Sequence, residues 1–173
     1  MKQVLFIGRF QPFHLGHLSA IKSSLKNEDR LIIVIGSAEE NHEPPNPFTA
    51  SERFQMIEAA LNAEKIPHEK YEIIPIRNID NFMLWTSHVD QYIPPVYKVY
   101  TGSKIVKELY EDYGKYKIED VKMLNENNKI ISGTVIRNKM LKGDKSWENL
   151  VHPEALKLIK KWKGIERIKM INA

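Results

Sequence analysis

Cysteine is absent from the 173-residue chain, so disulfides and thiolate metal sites are excluded. This absence suits a reducing compartment and predicts a cytoplasmic location. No apolar run approaches the roughly 18 residues that a membrane span needs. The apolar stretch near the N-terminus is also too short for the core of a secretory signal peptide. We therefore expect a protein that makes no contact with a membrane.

The excess of positive over negative charge is also small, since the formal net charge is only +4. The lysines are scattered and form no long basic run, which argues against a nucleic-acid partner. With 42% hydrophobic and 28% charged residues, the composition is ordinary for a globular protein. The length suits one domain that covers residues 1–173.

Strand and helix patterns alternate along the chain. Apolar runs predict strands at 2–8, 31–37, 71–76, 96–102 and 119–125. Helical spacing and helix-end residues predict helices at 17–30, 49–64, 80–93, 103–114, 132–143 and 153–163, the last of which ends at Gly164 and leaves a short tail. This succession predicts a single doubly wound, Rossmann-like α/β domain with a parallel sheet of five or six strands and a C-terminal helix.

Three of the predicted strands reach a glycine at their ends, at Gly8, Gly36 and Gly102. Ligands of open parallel sheets bind beyond the carboxyl ends of the strands, where the strand order reverses. Glycine at such points allows a ligand to approach the backbone closely. The first of these strand ends leads directly into the stretch "GRFQPFHLGH" at 8–17.

This stretch concentrates groups that suit a phosphate. Gly16 and His17 open the first predicted helix, whose free N–H groups and partial positive charge favour an anion. His14 and His17 can donate hydrogen bonds to phosphate oxygens, more strongly as imidazolium, and Arg9 adds a permanent charge. The sequence therefore predicts a phosphate site here.

Two other interpretations of the histidine pair remain open. The rings could cap the helix or satisfy loop groups without binding a ligand. They could also hold zinc, but a third ligand is not close in sequence, because His42, His68 and His88 lie in other segments.

A second motif, "ISGTVIR" at 131–137, completes a recognisable pair. The H-x-G-H of 14–17 resembles the signature of the nucleotidyltransferase superfamily, and 131–137 is similar to its S-[ST]-T-x-x-R motif, with Gly133 in the middle position. Within this superfamily, the particular residues of the chain most resemble those of the archaeal-type nicotinamide-nucleotide adenylyltransferases. This resemblance rests on "GRFQPFHLGH", "GSAEENHEPPNPFTASER", "NIDNFMLW" and "VYTG", and it covers nearly the whole chain.

The resemblance implies transfer of the adenylyl group of ATP to nicotinamide mononucleotide, which gives NAD and pyrophosphate by direct in-line attack on the α-phosphorus. It implies Mg²⁺ or another divalent cation bound mainly through phosphates, with no protein metal site. It also implies a homo-oligomer, commonly a hexamer.

The resemblance further implies the roles of individual residues. Catalysis would fall to His14, His17 and Arg137, with His17 nearest the transferring phosphate. ATP contacts would come from Gly8, Arg9, Phe10, Gly16, Gly102, Ser132 and Thr134. Contacts with nicotinamide mononucleotide would come from Gln11, Ser37, Arg53, Asp80 and Trp85, of which Trp85 would stack on the nicotinamide ring.

Alternatives to these assignments stay open at this point. The acceptor could be nicotinate mononucleotide or pantetheine phosphate, and the same fold could serve as a non-catalytic nucleotide sensor. Trp85 could instead be an aromatic residue of the core, and Arg53 could instead form a salt bridge within its helix. Ser51 and Lys104 depart from the family's usual blocks.

Overall fold

The computed structural model describes residues 2–124 and 129–173. The described residues form one five-stranded sheet from β1 (Gln3–Gly8), β2 (Arg30–Ile35), β3 (Tyr71–Pro75), β4 (Lys98–Thr101) and β5 (Lys117–Asp120). The strand order is β3-β2-β1-β4-β5, and every neighbouring pair is parallel. The prediction of a doubly wound α/β fold with a parallel sheet is confirmed.

The described helices are α1 (Leu15–Leu25), α2 (Ala50–Ala63), α3 (Trp85–Asp90), α4 (Lys104–Tyr113), α5 (Gly133–Lys142), α6 (Pro153–Lys161) and α7 (Gly164–Ile171). Short 3-10 helices lie at His68–Lys70, Phe82–Leu84 and Lys145–Leu150. Within residues 2–124 and 129–173, no helix has the length and apolar character to span a bilayer. Thr49 and Glu52 form a capping box at the start of α2.

Two of the sequence predictions are wrong in position. The fifth strand lies at Lys117–Asp120 rather than 119–125, of which residue 125 lies outside the described residues. Because β5 is a mostly exposed edge strand, backbone pairing with β4 defines it and no apolar run marks it. The predicted helix at 80–93 begins as a 3-10 helix at Phe82–Leu84 and becomes α-helical only over α3.

The C-terminal prediction is also wrong, because Gly164 begins α7 instead of ending the chain's last helix. Lys163 takes the left-handed conformation, with φ of 53°, and connects α6 to α7. A Cβ atom at Gly164 would lie 2.9 Å from Cε1 of Phe48. Close packing, and not a helix end, therefore explains this glycine.

The described chain forms two compact units. The first comprises the described residues of 1–8 together with Ala20–Glu39 and Pro67–Lys122, and it carries the sheet. The second comprises Arg9–Ser19, Glu40–Ile66 and Met123–Ala173. In the second unit α2 packs on α6, and α7 packs on both α5 and α6. A single domain over residues 1–173 stays a prediction.

In the first unit the strand order reverses at β1. The chain moves from β1 outward to β3 and then returns to β4 on the other side of β1. The carboxyl ends of β1 and β4, at Gly8 and Thr101, therefore mark the switch point at which parallel sheets bind ligands. The core beneath is apolar, with Leu5, Ile32 and Val99 fully buried.

Beside this core, polar groups join α3 to the end of α4 and to the residues that follow α4. Asp90 accepts hydrogen bonds from Tyr113 Oη at 3.0 Å, Lys115 Nζ at 2.7 Å and Tyr116 Oη at 2.7 Å. The Tyr110 hydroxyl is fully buried nearby and has no hydrogen-bond partner among the described residues. Burial raises the pKa of Tyr110 above its ordinary value.

Two tyrosine substitutions should therefore change stability in opposite directions. Tyr110→Phe removes a buried hydroxyl that lacks a partner, so we expect the free energy of unfolding to rise by about 1 kcal/mol. Tyr116→Phe removes the bond to Asp90, so we expect a loss of about 1–2 kcal/mol. Chemical denaturation measures both. Equal destabilisation by the two variants would contradict this account.

Candidate active site

The ring nitrogens of His14 and His17 cap the first turn of α1, because each ring accepts the backbone N–H of the other histidine. The His14 Nδ1 accepts the His17 backbone N–H at 3.3 Å, and the His17 Nδ1 accepts the His14 N–H at 3.2 Å. The rings stack with centroids 3.6 Å apart. This reciprocal pattern is that of a capping box, built here from two imidazoles. The capping role of the two rings is therefore confirmed, and their contact with a phosphate stays a prediction.

The capping bonds also set the tautomer of each ring. Because each Nδ1 accepts a hydrogen bond, a neutral ring carries its proton on Nε2. Burial lowers the pKa of His14 to about 3. Burial, and then the proximity of His14, lower the pKa of His17 well below its ordinary value. Near neutral pH both rings are uncharged Nε2–H donors, and the imidazolium form is not the resting state.

The glycine of the H-x-G-H motif, Gly16, lies where neighbouring atoms leave no room for a side chain. A Cβ atom at Gly16 would lie 3.0 Å from His14 Nδ1 and 3.0 Å from the Met123 backbone carbon. A side chain at this position would press on the ring nitrogen that caps α1. The motif's residue types therefore follow from the histidine pair's geometry.

Arg53 is fully buried and binds backbone carbonyls. Its Nη1 donates to the Arg9 carbonyl at 3.0 Å, its Nε to Thr49 at 3.2 Å and its Nη2 to Glu40 at 3.4 Å. These bonds attach α2 to the chain directly after β1. A contact between Arg53 and nicotinamide mononucleotide stays a prediction.

The second motif begins α5, and its polar groups are ordered. The Ser132 hydroxyl accepts the Val135 N–H at 3.2 Å, and the Thr134 hydroxyl accepts from Arg137 Nη2 at 3.3 Å. Arg137 Nη1 donates to the Gln11 carbonyl at 2.8 Å. A hydroxyl that accepts one bond can still donate another, so both hydroxyls fit a phosphate at this helix start.

Gln11 connects three segments of the second unit. Its side-chain Nε2 donates to the Phe48 carbonyl and its Oε1 accepts the Phe48 N–H, both at 2.9 Å. A Cβ atom at Gly133 would lie 2.7 Å from the Gln11 carbonyl oxygen and 3.0 Å from Arg137 Nη1. Glycine is thus the residue that lets α5 approach this carbonyl. The Gln11 amide has a structural role at both ends, and its contact with a mononucleotide stays a prediction.

The two arginines of the motifs influence each other. Burial, and then the charge of Arg9, lower the pKa of Arg137 to about 10. The Arg137 guanidinium still carries its charge at neutral pH. Asn46 Oδ1 accepts from Arg9 Nη1 at 3.4 Å, and Asn46 Nδ2 donates to Glu40 Oε2 at 2.5 Å. An anion that binds both arginines would relieve their mutual repulsion.

Five of the predicted site residues belong to the first unit, namely Gly8, Ser37, Asp80, Trp85 and Gly102. The Gly8 carbonyl accepts the Gly36 N–H at 3.0 Å, which joins the ends of β1 and β2. Ser37 has a left-handed backbone with φ of 49°, and its hydroxyl accepts from Asn78 Nδ2 at 2.9 Å. Asp80 and Gly102 are exposed.

Trp85 lies within the apolar core of the first unit and is only 3% exposed. Its Cζ2 would lie 3.7 Å from a Cβ atom at Gly36, so the ring edge reaches the end of β2. The Nε1–H has no hydrogen-bond partner among the described residues. This burial favours the core-aromatic interpretation in the present conformation, and stacking on nicotinamide stays a prediction.

Several residues that order the site were missed from the sequence. Asn46 and Asn78 lie inside the quoted blocks but carry no pattern of their own. The Gln11 side chain binds the backbone N–H and carbonyl of Phe48, and backbone groups do not reveal themselves in a sequence. Phe10 was named for ATP, but its left-handed φ of 54° was not anticipated.

The donor set fits phosphates better than it fits a metal ion. In the described part of the chain, no group of three or more His, Cys, Asp or Glu side chains could hold a metal. The histidines are neutral N–H donors, and the other charged groups named at the motifs are arginines. A divalent cation that accompanies such a ligand would be held through the ligand's phosphates, which stays a prediction.

The profile of the cytidylyltransferase-like family matches residues 5–139. A nicotinamide-nucleotide adenylyltransferase of Archaeoglobus fulgidus is 42% identical over 173 residues, which cover 98% of this chain and 97% of that protein. The chain belongs to this cytidylyltransferase-like family. Its relatives include a nicotinamide-nucleotide adenylyltransferase of Methanococcus maripaludis, 42% identical over 98% of this chain and 95% of that protein.

A solved structure supports the fold of this cytidylyltransferase-like chain. A bifunctional NMN adenylyltransferase/ADP ribose pyrophosphatase of Francisella tularensis has a TM-score of 0.79 and 24% identity. The match covers 99% of this chain and 53% of that one, so this chain spans about half the length of the solved chain. The likeness confirms the Rossmann-like α/β fold.

The neutral state of the histidines makes stability depend on pH. A histidine whose folded pKa is about 3 and whose unfolded pKa is 6.5 stabilises the fold above pH 6.5 and loses this contribution as the pH falls. Between pH 7 and 5 we expect the wild type to lose about 2 kcal/mol more free energy of unfolding than His14→Gln. Urea denaturation at both pH values measures this. Parallel pH dependences would refute the buried neutral state of His14.

Proposed function

We propose that this cytidylyltransferase-like chain transfers the adenylyl group of ATP to nicotinamide mononucleotide, forming NAD and pyrophosphate. The observation that carries the proposal is the His14–His17 capping pair on the loop whose Gln11 carbonyl is bound by Arg137. Relatives that are 42% identical over nearly the full chain and bear the name of this activity support it.

The reaction needs no general base. The acceptor phosphate is already ionised near neutral pH. Its oxygen attacks the α-phosphorus of ATP, the bond from that phosphorus to the oxygen bridging to the β-phosphorus breaks, and pyrophosphate leaves with the electron pair. Catalysis then depends on alignment of the two substrates and on stabilisation of charge at the transferring and leaving groups.

The second unit supplies groups for this task. The Nε2–H groups of His14 and His17 donate to ATP phosphates, with His17 nearest the transferring one. Arg137 and Arg9 bind the β- and γ-phosphates. The hydroxyls and backbone at the start of α5 assist them, since a helix N-terminus favours an anion.

Binding of both substrates would also use the remaining predicted residues. Gly8, Phe10, Gly16, Gly102, Ser132 and Thr134 are proposed for ATP, and Gln11, Ser37, Arg53, Asp80 and Trp85 for the mononucleotide. Because Trp85 is buried, stacking on nicotinamide requires its ring face to become accessible when the mononucleotide binds.

A divalent cation, Mg²⁺ in our proposal, would accompany ATP and neutralise part of its charge. A second structure of the Francisella tularensis protein, with a TM-score of 0.74, is complexed with AMP and an Mn ion. The homo-oligomer, the cytoplasmic location and the lack of nucleic-acid and membrane partners are likewise proposed on the sequence alone.

Loss of one histidine tests the mechanism. His17→Ala removes a donor to the transferring phosphate, so we expect turnover to fall by about two orders of magnitude or more while the fold persists. His68→Ala, at an exposed position outside the motifs, is the matched control and should keep wild-type turnover. Steady-state pyrophosphate release measures both variants, and circular dichroism checks folding. Near-normal turnover of His17→Ala would remove His17 from the catalytic role.

The acceptor is tested with the wild-type protein. ATP, magnesium and one of nicotinamide mononucleotide, nicotinate mononucleotide or pantetheine phosphate are incubated with it, and pyrophosphate is measured. We expect release with nicotinamide mononucleotide. Release only with pantetheine phosphate would retain the phosphate site but replace the acceptor. No release with any of them would favour a nucleotide sensor.

A further inference from the structure

The helix α7 binds both the first turn of α2 and the segment that precedes it. Arg167 Nη1 and Nη2 donate to the two Glu52 carboxylate oxygens at 2.6 and 2.8 Å, and Nη1 also donates to the Pro47 carbonyl at 3.0 Å. The two side chains are only 14% and 12% exposed. Gly164, at the start of α7, packs directly on Phe48. A two-point contact of this kind fixes both position and angle.

Glu52 also shapes the start of α2. Its Oε2 accepts the Thr49 N–H at 2.9 Å, and the Thr49 hydroxyl accepts the Glu52 N–H at 3.1 Å. Burial raises the pKa of Glu52, but the bonds from Arg167 and Thr49 outweigh it and hold the pKa below its ordinary value. Arg167 therefore orders the same carboxylate that completes the capping box.

Two hydrogen-bonded routes lead from this segment to the loop 9–17. In one, the Phe48 backbone binds both ends of the Gln11 amide. In the other, Arg53 of α2 binds the Arg9 carbonyl. The Gln11 carbonyl in turn receives Arg137 Nη1. Every group in these routes is a residue of the second unit.

We propose that Arg167 is a positioning residue for the nucleotide site, acting through Glu52 and Phe48 on Gln11 and hence on the histidine-bearing loop 9–17. The inference deepens the proposed function and rests on it. A reaction that depends on alignment is sensitive to such support, because a displacement of about 1 Å caused by a remote change can cost about 100-fold in rate.

Three substitutions separate positioning from general stability. Arg167→Met keeps the side chain's length and removes every hydrogen bond. Arg167→Lys keeps the charge but cannot form the two-point contact with Glu52. Lys157→Met is the control, because it removes the exposed ion pair of Lys157 with Glu154 on α6, 2.6 Å long, which touches neither route.

Kinetics and direct ATP binding are measured on the full chain, well below the Tm of each variant. For Arg167→Met we expect kcat to fall about tenfold or more and the Kd for ATP, titrated without an acceptor, to rise severalfold. The KM for nicotinamide mononucleotide should also rise severalfold, because Gln11 and Arg53 on the two routes are proposed to contact the mononucleotide. Arg167→Lys should be intermediate, and Lys157→Met should match the wild type.

Other results would overturn the proposal. If Arg167→Met lowers Tm but keeps the wild-type kcat and ATP affinity, Arg167 only stabilises the fold. If Arg167→Met does not fold, Arg167→Lys decides by the same criteria. If the wild type binds ATP but releases no pyrophosphate with any mononucleotide, the proposed function fails, and the ATP affinity of the variants alone decides the role of Arg167.

Discussion

The hydrogen bonds that converge on Gln11 fix the geometry on which the candidate site depends. This residue is 3% exposed, and both its amide and its carbonyl are engaged. Its carbonyl receives a guanidinium from 126 residues further along the chain, so the two sequence motifs meet at a single backbone oxygen. The absence of a side chain at Gly133 is what allows this approach. A buried polar group in such a place needs its partners, because each unsatisfied one costs free energy.

Much of the fold could be predicted because its signals are local. Buried parallel strands show as continuous apolar runs, and the helix starts at Thr49 and Ser132 carry their capping side chains in the sequence. The ends of α4 and α5 are marked by glycines in the left-handed conformation. The missed helix α7 has the opposite arrangement. There a lysine takes the left-handed conformation and the following glycine is helical.

The site could be predicted as a set of residue types but not as a geometry. His14, His17, Arg9 and Arg137 were found from two motifs, whereas their partners are mostly backbone atoms, which leave no mark in a sequence. Arg53 shows the limit, since a phosphate contact and a salt bridge were considered and carbonyl contacts were found. Outside the site, distance along the chain likewise conceals the ion pair of the buried Glu28 with the half-buried Lys98, whose charged atoms lie 2.7 Å from each other although the residues are 70 positions apart.

The histidine capping box has a consequence for proton stoichiometry. A proton on either Nδ1 would remove a cap from the first turn of α1 and place a charge beside a ring only 3.6 Å away. The pair therefore resists protonation as a unit. The ligand's charge must be balanced by the arginines and by whatever cation accompanies it.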